Sequence, residues 1–237
     1  MFGDSLSDGG NAGRFSNGPV WVELLGTQLG LTVAPSRTGG SNFAVGGARL
    51  DPRSGPGNMR AQADLYLGSR GTAESVLFVV YGGGNDLLAA ARNPSANGII
   101  SIAAASLKSI VSDLADRGAS DILVPNLPDV GMTPAISAYG SRAIAQAAIL
   151  SERFNAAVDR ALAEIASSHA FRLHRLDVRA MAERARADPG SFGFVDVSTP
   201  CVLAGRCEGY LFWDHVHPTT HAHARLADAA AELVLGR

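Results

Sequence analysis

Residue types able to attack a carbonyl, accept a proton and steady a negative charge fall in four short clusters along this chain. They are Gly3-Asp4-Ser5-Leu6-Ser7-Asp8, Asn42-Phe43-Ala44-Val45-Gly46-Gly47-Ala48, Gly82-Gly83-Gly84-Asn85-Asp86 and Asp214-His215-Val216-His217-Pro218. A serine hydroxyl is a weak nucleophile until a neighbouring base takes its proton, and that base needs a third group to fix its tautomer. Ser5 is the candidate nucleophile, His217 the candidate base and Asp214 the group that orients it. Asp214 and His217 stand three positions apart, just ahead of a proline, which can set a carboxylate against one ring nitrogen. The other nitrogen is then free to face Ser5. An oxyanion developing on the attacked carbonyl needs donors, and the backbone N–H groups of Ser5 and Gly47 with the side-chain amide of Asn85 could provide them. Taken singly, each cluster has an ordinary reading as a turn or a loop. Together they supply the parts of an acyl-transfer site.

Such groups need a frame. In open parallel sheets, functional groups gather on the loops that leave the carboxyl ends of the strands. Apolar runs rich in β-branched residues alternate here with helix-period segments, which argues for βαβ units in a single domain over residues 1–237. Residues 76–81 form a continuous apolar run that fits a strand buried on both faces. Further strands are expected at 121–124, at 171–176 and, as a short one, at 41–44. A first helix is expected to start at Pro19, with Trp21, Leu24, Leu25 and Leu29 on one stripe and Gly30 as its terminator. Others are expected at 97–117, at 141–168 with Leu150, Phe154, Val158 and Leu162 on one stripe, and at 218–236. That last helix is expected to bury Leu226, Leu233 and Val234.

Composition narrows the classes. Apolar residues make up 46% of the 237 and charged residues 18%, the balance of a well-cored protein. A net charge of −2 gives no electrostatic case for a nucleic-acid partner. No apolar run is read as reaching the roughly 18–20 residues of a membrane span, and no signal peptide is read at Met1. Cys201 and Cys207, six positions apart, suit a small disulfide of an exported protein, with two free thiols or a partial metal site as alternatives. Four of the six histidines lie between His215 and His223, which invites a metal reading. No second ligand cluster accompanies them, so neither metal nor cofactor is expected. The phosphate-loop and Gly-x-Ser-x-Gly signatures are both missing, which argues against a nucleotide-binding protein and an α/β-hydrolase.

The four clusters, in this order, resemble the blocks of the GDSL (SGNH) esterase and lipase family over nearly the whole chain. Asn126-Leu127-Pro128-Asp129-Val130-Gly131-Met132-Thr133-Pro134 and Tyr210-Leu211-Phe212-Trp213-Asp214 are similar to its branch of bacterial secreted lipases and acyltransferases. The resemblance implies a three-layer α/β/α sandwich on a parallel, flavodoxin-like sheet. It also implies Ser5, Asp214 and His217 as the catalytic residues, and Ser5, Gly47 and Asn85 as the oxyanion hole. Gly47 is preferred to Gly46 because it directly precedes Ala48. The implied activity is hydrolysis of carboxylic esters with short-to-medium acyl or lipid chains. A carbohydrate-ester deacetylase and a silent binding module of the same fold are the alternatives. Because the base must be neutral, activity is expected to fall as pH drops through about 6–7.

One departure stands out. Only Met1 and Phe2 precede Gly3, too few for the family's first strand, so a truncated strand with unpaired neighbours and an opened core is expected. Secretion or a periplasmic location follows from the resemblance and the cysteine pair. The loops expected to shape the substrate pocket are 50–59, 129–139 and 190–212, with Phe192, Phe194, Tyr210, Phe212 and Trp213 as a candidate apolar wall.

Overall fold

The computed structural model describes residues 1–69, 76–91, 93 and 95–237. Chain order gives β1 (Phe2–Gly3), α1 (Trp21–Gln28), α2 (Met59–Ser69), β2 (Leu77–Tyr81), α3 (Gly84–Ala90) and α4 (Ala96–Asp116). Then come β3 (Asp121–Leu123), α5 (Pro134–Ser137), α6 (Ser141–Ala166), β4 (Arg172–His174) and α7 (Val178–Ala187). The last part holds β5 (Asp196–Pro200), α8 (Cys201–Ala204), β6 (Tyr210–Phe212) and α9 (Thr220–Leu235). The strands β1-β2-β3-β4 lie side by side in that order, all parallel, with Phe2 opposite Val80, Leu77 opposite Asp121 and Asp121 opposite Arg172. Parallel neighbours need long crossovers, and the helices between the strands supply them. Helix α4 packs on α6 and α1 on α9, which gives the three-layer α/β/α arrangement. Strand β2 reads as an unbroken apolar run because Phe78, Val79, Val80 and Tyr81 are all buried.

Residues 41–44 do not form a strand, although they run beside β1 as one would. The Met1 amine donates to Ser41 O at 3.0 Å, Phe43 N–H to Met1 O at 2.8 Å and Val45 N–H to Gly3 O at 3.2 Å. The next rung is diverted, because Gly3 N–H donates to Gln62 Oε1 at 2.9 Å. With 41–45 counted as second in chain order, the sheet has the 2-1-3-4-5 sequence of flavodoxin-type folds. In place of an opened core at β1, Phe2 pairs with β2 and is 1% exposed among Phe43, Tyr66 and Phe78.

Two further expectations need correction. Helix α4 is long and apolar enough by composition to cross a membrane, with a mean hydropathy of 1.4, although no such run was expected. Here it serves the core, burying Ile100, Leu107, Ile110, Val111 and Leu114. Helix α9 buries Ala227, Ala230 and Ala231, and Leu233 is turned outward. The stripe on α6 is as the spacing predicts, with Leu150, Phe154, Val158 and Leu162 all buried.

Strands β5 and β6 form a separate parallel pair, and a disulfide joins Cys201 to Cys207 beside them with Cα atoms 4.9 Å apart.

Candidate active site

Ser5 sits in the turn that leaves the carboxyl end of β1, and His217 lies in the loop between β6 and α9. The Asp214 side chain organises that loop. Its Oδ1 accepts the N–H groups of Val216 at 2.8 Å and His217 at 2.7 Å, and its Oδ2 meets His217 Nδ1 at 2.8 Å. A carboxylate can only accept, so Nδ1 carries the proton and Nε2 presents its lone pair. Nε2 lies 2.9 Å from Ser5 Oγ, across 212 residues of sequence. Trp213 N–H closes the same loop onto His217 O at 2.8 Å, and the Phe15 ring packs 5.3 Å from the imidazole. Burial pushes the Asp214 carboxyl up, but the His217 ring and the two backbone N–H groups outweigh it and hold the group at about 2. Asp214 is therefore ionised throughout the ordinary pH range.

The candidate oxyanion donors divide cleanly. Gly46 N–H is committed to Asp8 Oδ2 at 2.8 Å. Among the described residues, the N–H groups of Ser5 and Gly47 donate to nothing. Gly47 holds a φ of +77°, a left-handed conformation that glycine adopts without strain. Asn85, at the start of α3, donates one amide hydrogen to Ala48 O at 3.0 Å and keeps its second available.

Sequence reasoning assigned no role to the side chains that hold these loops. Asp8 is buried and accepts four backbone N–H groups, those of Gly10, Asn11, Ala12 and Gly46, which ties the Ser5 turn to the Gly47 loop. Asn42 donates to Ser7 O at 2.7 Å, and Asp86 receives the N–H groups of Leu50 and Asp51 beside Asn85. The available signal was position: each lies inside one of the four clusters, and an Asp before Gly-Gly-Asn favours a side-chain-capped turn.

Asp4 directly precedes Ser5 and is buried. Burial pushes its carboxyl up to about 6, against the lowering pull of Leu6 N–H and His217. A raised carboxyl favours the folded state when protonated, so this contribution is full below the unfolded value near 3.9 and is lost as pH rises through about 6. The difference is on the order of 3 kcal/mol. Asp4→Asn is therefore expected to gain melting temperature relative to the parent between pH 4 and pH 8. A difference that stays constant with pH would refute this.

The histidines near the carboxyl end disperse. His215 is exposed, His221 Nε2 meets Phe192 O at 2.9 Å, and the His223 ring is buried. Among the described residues no three His, Cys, Asp or Glu side chains stand together as a metal site. His169 and His174 meet Asp116 and Asp121.

A cavity of about 170 Å³ adjoins Ser5, Asn85 and His217. Its walls come from the 127–133 loop, α7, β6 and α9, and they are largely apolar. Phe192, Phe194 and Phe212 line it as expected, whereas Tyr210, Trp213 and loop 50–59 do not.

The sequence profile of the GDSL-like Lipase/Acylhydrolase family matches residues 1–230. Lipase 1 of Photorhabdus luminescens is 39% identical over 59% of this chain, which spans 23% of that protein's length. Phosphatidylcholine-sterol acyltransferase of Aeromonas hydrophila is 28% identical over 99% of this chain and 89% of its own. Among solved structures, the acetylxylan esterase Axe2 of Geobacillus stearothermophilus superposes with a TM-score of 0.57 at 16% identity, covering 98% of this chain and 91% of that one. A lipolytic G-D-S-L family protein of Veillonella parvula gives 0.56 at 16% identity, covering 99% and 94%. With the profile covering nearly its whole length, the chain belongs to the GDSL-like lipase and acylhydrolase family.

Proposed function

We propose that the protein is a serine hydrolase of carboxylic esters that works through an acyl-enzyme on Ser5. The reading is carried by one observation, the unbroken line from Ser5 Oγ through the His217 ring to the Asp214 carboxylate, at 2.9 and 2.8 Å. Ser5 Oγ attacks the ester carbonyl as its proton passes to His217 Nε2. The oxyanion is met by the N–H groups of Ser5 and Gly47 and by Asn85 Nδ2. Collapse breaks the bond to the alcohol oxygen, which leaves with the proton from His217. Water then repeats the sequence on the acyl-enzyme and releases the acid. Turnover of an activated aryl ester tests the reading; a folded protein that cleaves none would overturn it, and a silent binding module would be the better account.

The apolar cavity beside Ser5 favours short-to-medium acyl or lipid chains over the acetyl groups of sugar esters. Each buried methylene contributes about 0.8 kcal/mol, or about fourfold in kcat/KM, until the cavity is full. A series of aryl esters is therefore expected to rise from acetate toward longer acyl chains, and acetate as the best substrate would favour the deacetylase instead. Removing one oxyanion donor by Asn85→Ala is expected to lower kcat by about 10²- to 10³-fold with little change in KM. Unchanged kcat in that variant would exclude Asn85 from the hole. We also propose a location outside the cytoplasm, which the Cys201–Cys207 disulfide supports.

A further inference from the structure

Phe15, in the loop between β1 and α1, touches two parts of the site at once. Its ring centroid lies 5.3 Å from that of His217 with 35° between the planes, closer to stacked than to edge-on. The same ring covers Gly46, where a Cβ would stand 2.3 Å from Phe15 Cε2. Gly46 directly precedes the oxyanion donor Gly47. Neighbouring residues pin this ring from both sides. Arg14 forms a two-pronged pair with Glu23 of α1, with Nη2 donating to Oε1 at 2.8 Å. Ser16 Oγ donates to Pro218 O at 2.9 Å, one residue beyond His217. Phe15 takes no part in the walls of the apolar cavity, so it meets the imidazole from outside that space. Trp213 stands farther from the imidazole, at 6.5 Å and 51°.

We propose that Phe15 is a positioning residue, whose ring face keeps the imidazole in line with Ser5 and steadies the positive charge it acquires when the nucleophile loses its proton. The inference rests on His217 being the base. When the Ser5 proton moves to Nε2 the imidazole becomes a cation, with Nδ1–H still held by Asp214. An aromatic face is electron-rich and attracts a cation within about 6 Å of its centroid. That attraction is stronger in the transition state than in the resting enzyme, so it raises kcat instead of tightening binding. The groups that act electrostatically on His217 are Asp214 in its own loop, Asp4 in the β1 turn and His223 on α9. Arg14, beside Phe15, is paired with Glu23. The replacements at position 15 leave all of these in place.

Two replacements separate shape from charge. Phe15→Leu fills much of the space without an aromatic face. Pentafluorophenylalanine, introduced site-specifically in place of Phe15, keeps the shape of the ring while its fluorines drain the face. Each is expected to lower kcat on an aryl ester about two- to fivefold with KM unchanged. Each is also expected to move the titration of His217 about 0.4–0.7 pH unit toward acid. That titration is followed by NMR of the isotope-labelled imidazole, with the resonance assigned by its loss in His217→Gln. A ring that only filled space would leave the fluorinated protein like the parent in both readouts, and that result would overturn the proposal. So would a Phe15→Leu protein with parent kcat and parent titration; should that variant fail to fold, the fluorinated one decides. A parent protein that cleaves no ester would instead count against the esterase reading, and the NMR titration would still decide the part played by Phe15.

Discussion

Ser5→Ala is expected to lower kcat on an aryl ester by about 10⁴- to 10⁶-fold while the protein stays folded. The size follows from the role: without the hydroxyl there is no acyl-enzyme, and only binding and the oxyanion donors remain. The stability follows from the contacts. Among the described residues Ser5 Oγ bonds to His217 Nε2 alone, and the turn itself is held by Asp4 and Asp8. The checks are steady-state kinetics, loss of any acyl-enzyme burst, and a melting temperature within a few degrees of the parent. Parent-like turnover would remove the nucleophile from the scheme.

Asp214→Asn is expected to cost about 10⁴-fold in kcat. The amide oxygen can still accept from Val216 and His217 N–H, so the loop keeps its shape. The amide nitrogen, however, now donates toward Nδ1, which moves the ring proton to Nε2, where it faces Ser5 and cannot accept. The parent carboxylate is held at about 2, below its unfolded value, so its stabilising contribution is present above that value and lost only as pH falls through about 2. Asp214 itself is therefore expected to add no loss of activity to the parent between pH 4 and pH 8. Kinetics showing near-parent kcat in Asp214→Asn would contradict this account.

Much of the frame was legible because it follows from periodicity. The unbroken apolar run of β2 and the fourfold stripe on α6 each carry a signal long enough to read. Residues 41–44 misled because their composition is that of a strand, while the side chain of Gln62 that takes the rung lies in a distant helix. Leu233 misled for a similar reason: hydrophobicity alone favours burying it, whereas the face of α9 that is turned inward carries Ala227, Ala230 and Ala231. The candidate site residues could be named because hydroxyl, imidazole, carboxylate and amide have distinct chemistry. Asp8 could not, since its significance depends on what surrounds it. It matters because four N–H groups converge on it.

The two ends of the chain are stitched together where α1 meets α9. Ser16 Oγ donates to Pro218 O at 2.9 Å, Thr220 N–H to Asn17 Oδ1 at 2.8 Å, and Gln28 Nε2 to Asp228 Oδ1 at 2.8 Å. During synthesis, then, Ser5 leaves the ribosome well before His217. On the proposed mechanism, a nascent chain cannot form an acyl-enzyme until this seam has closed.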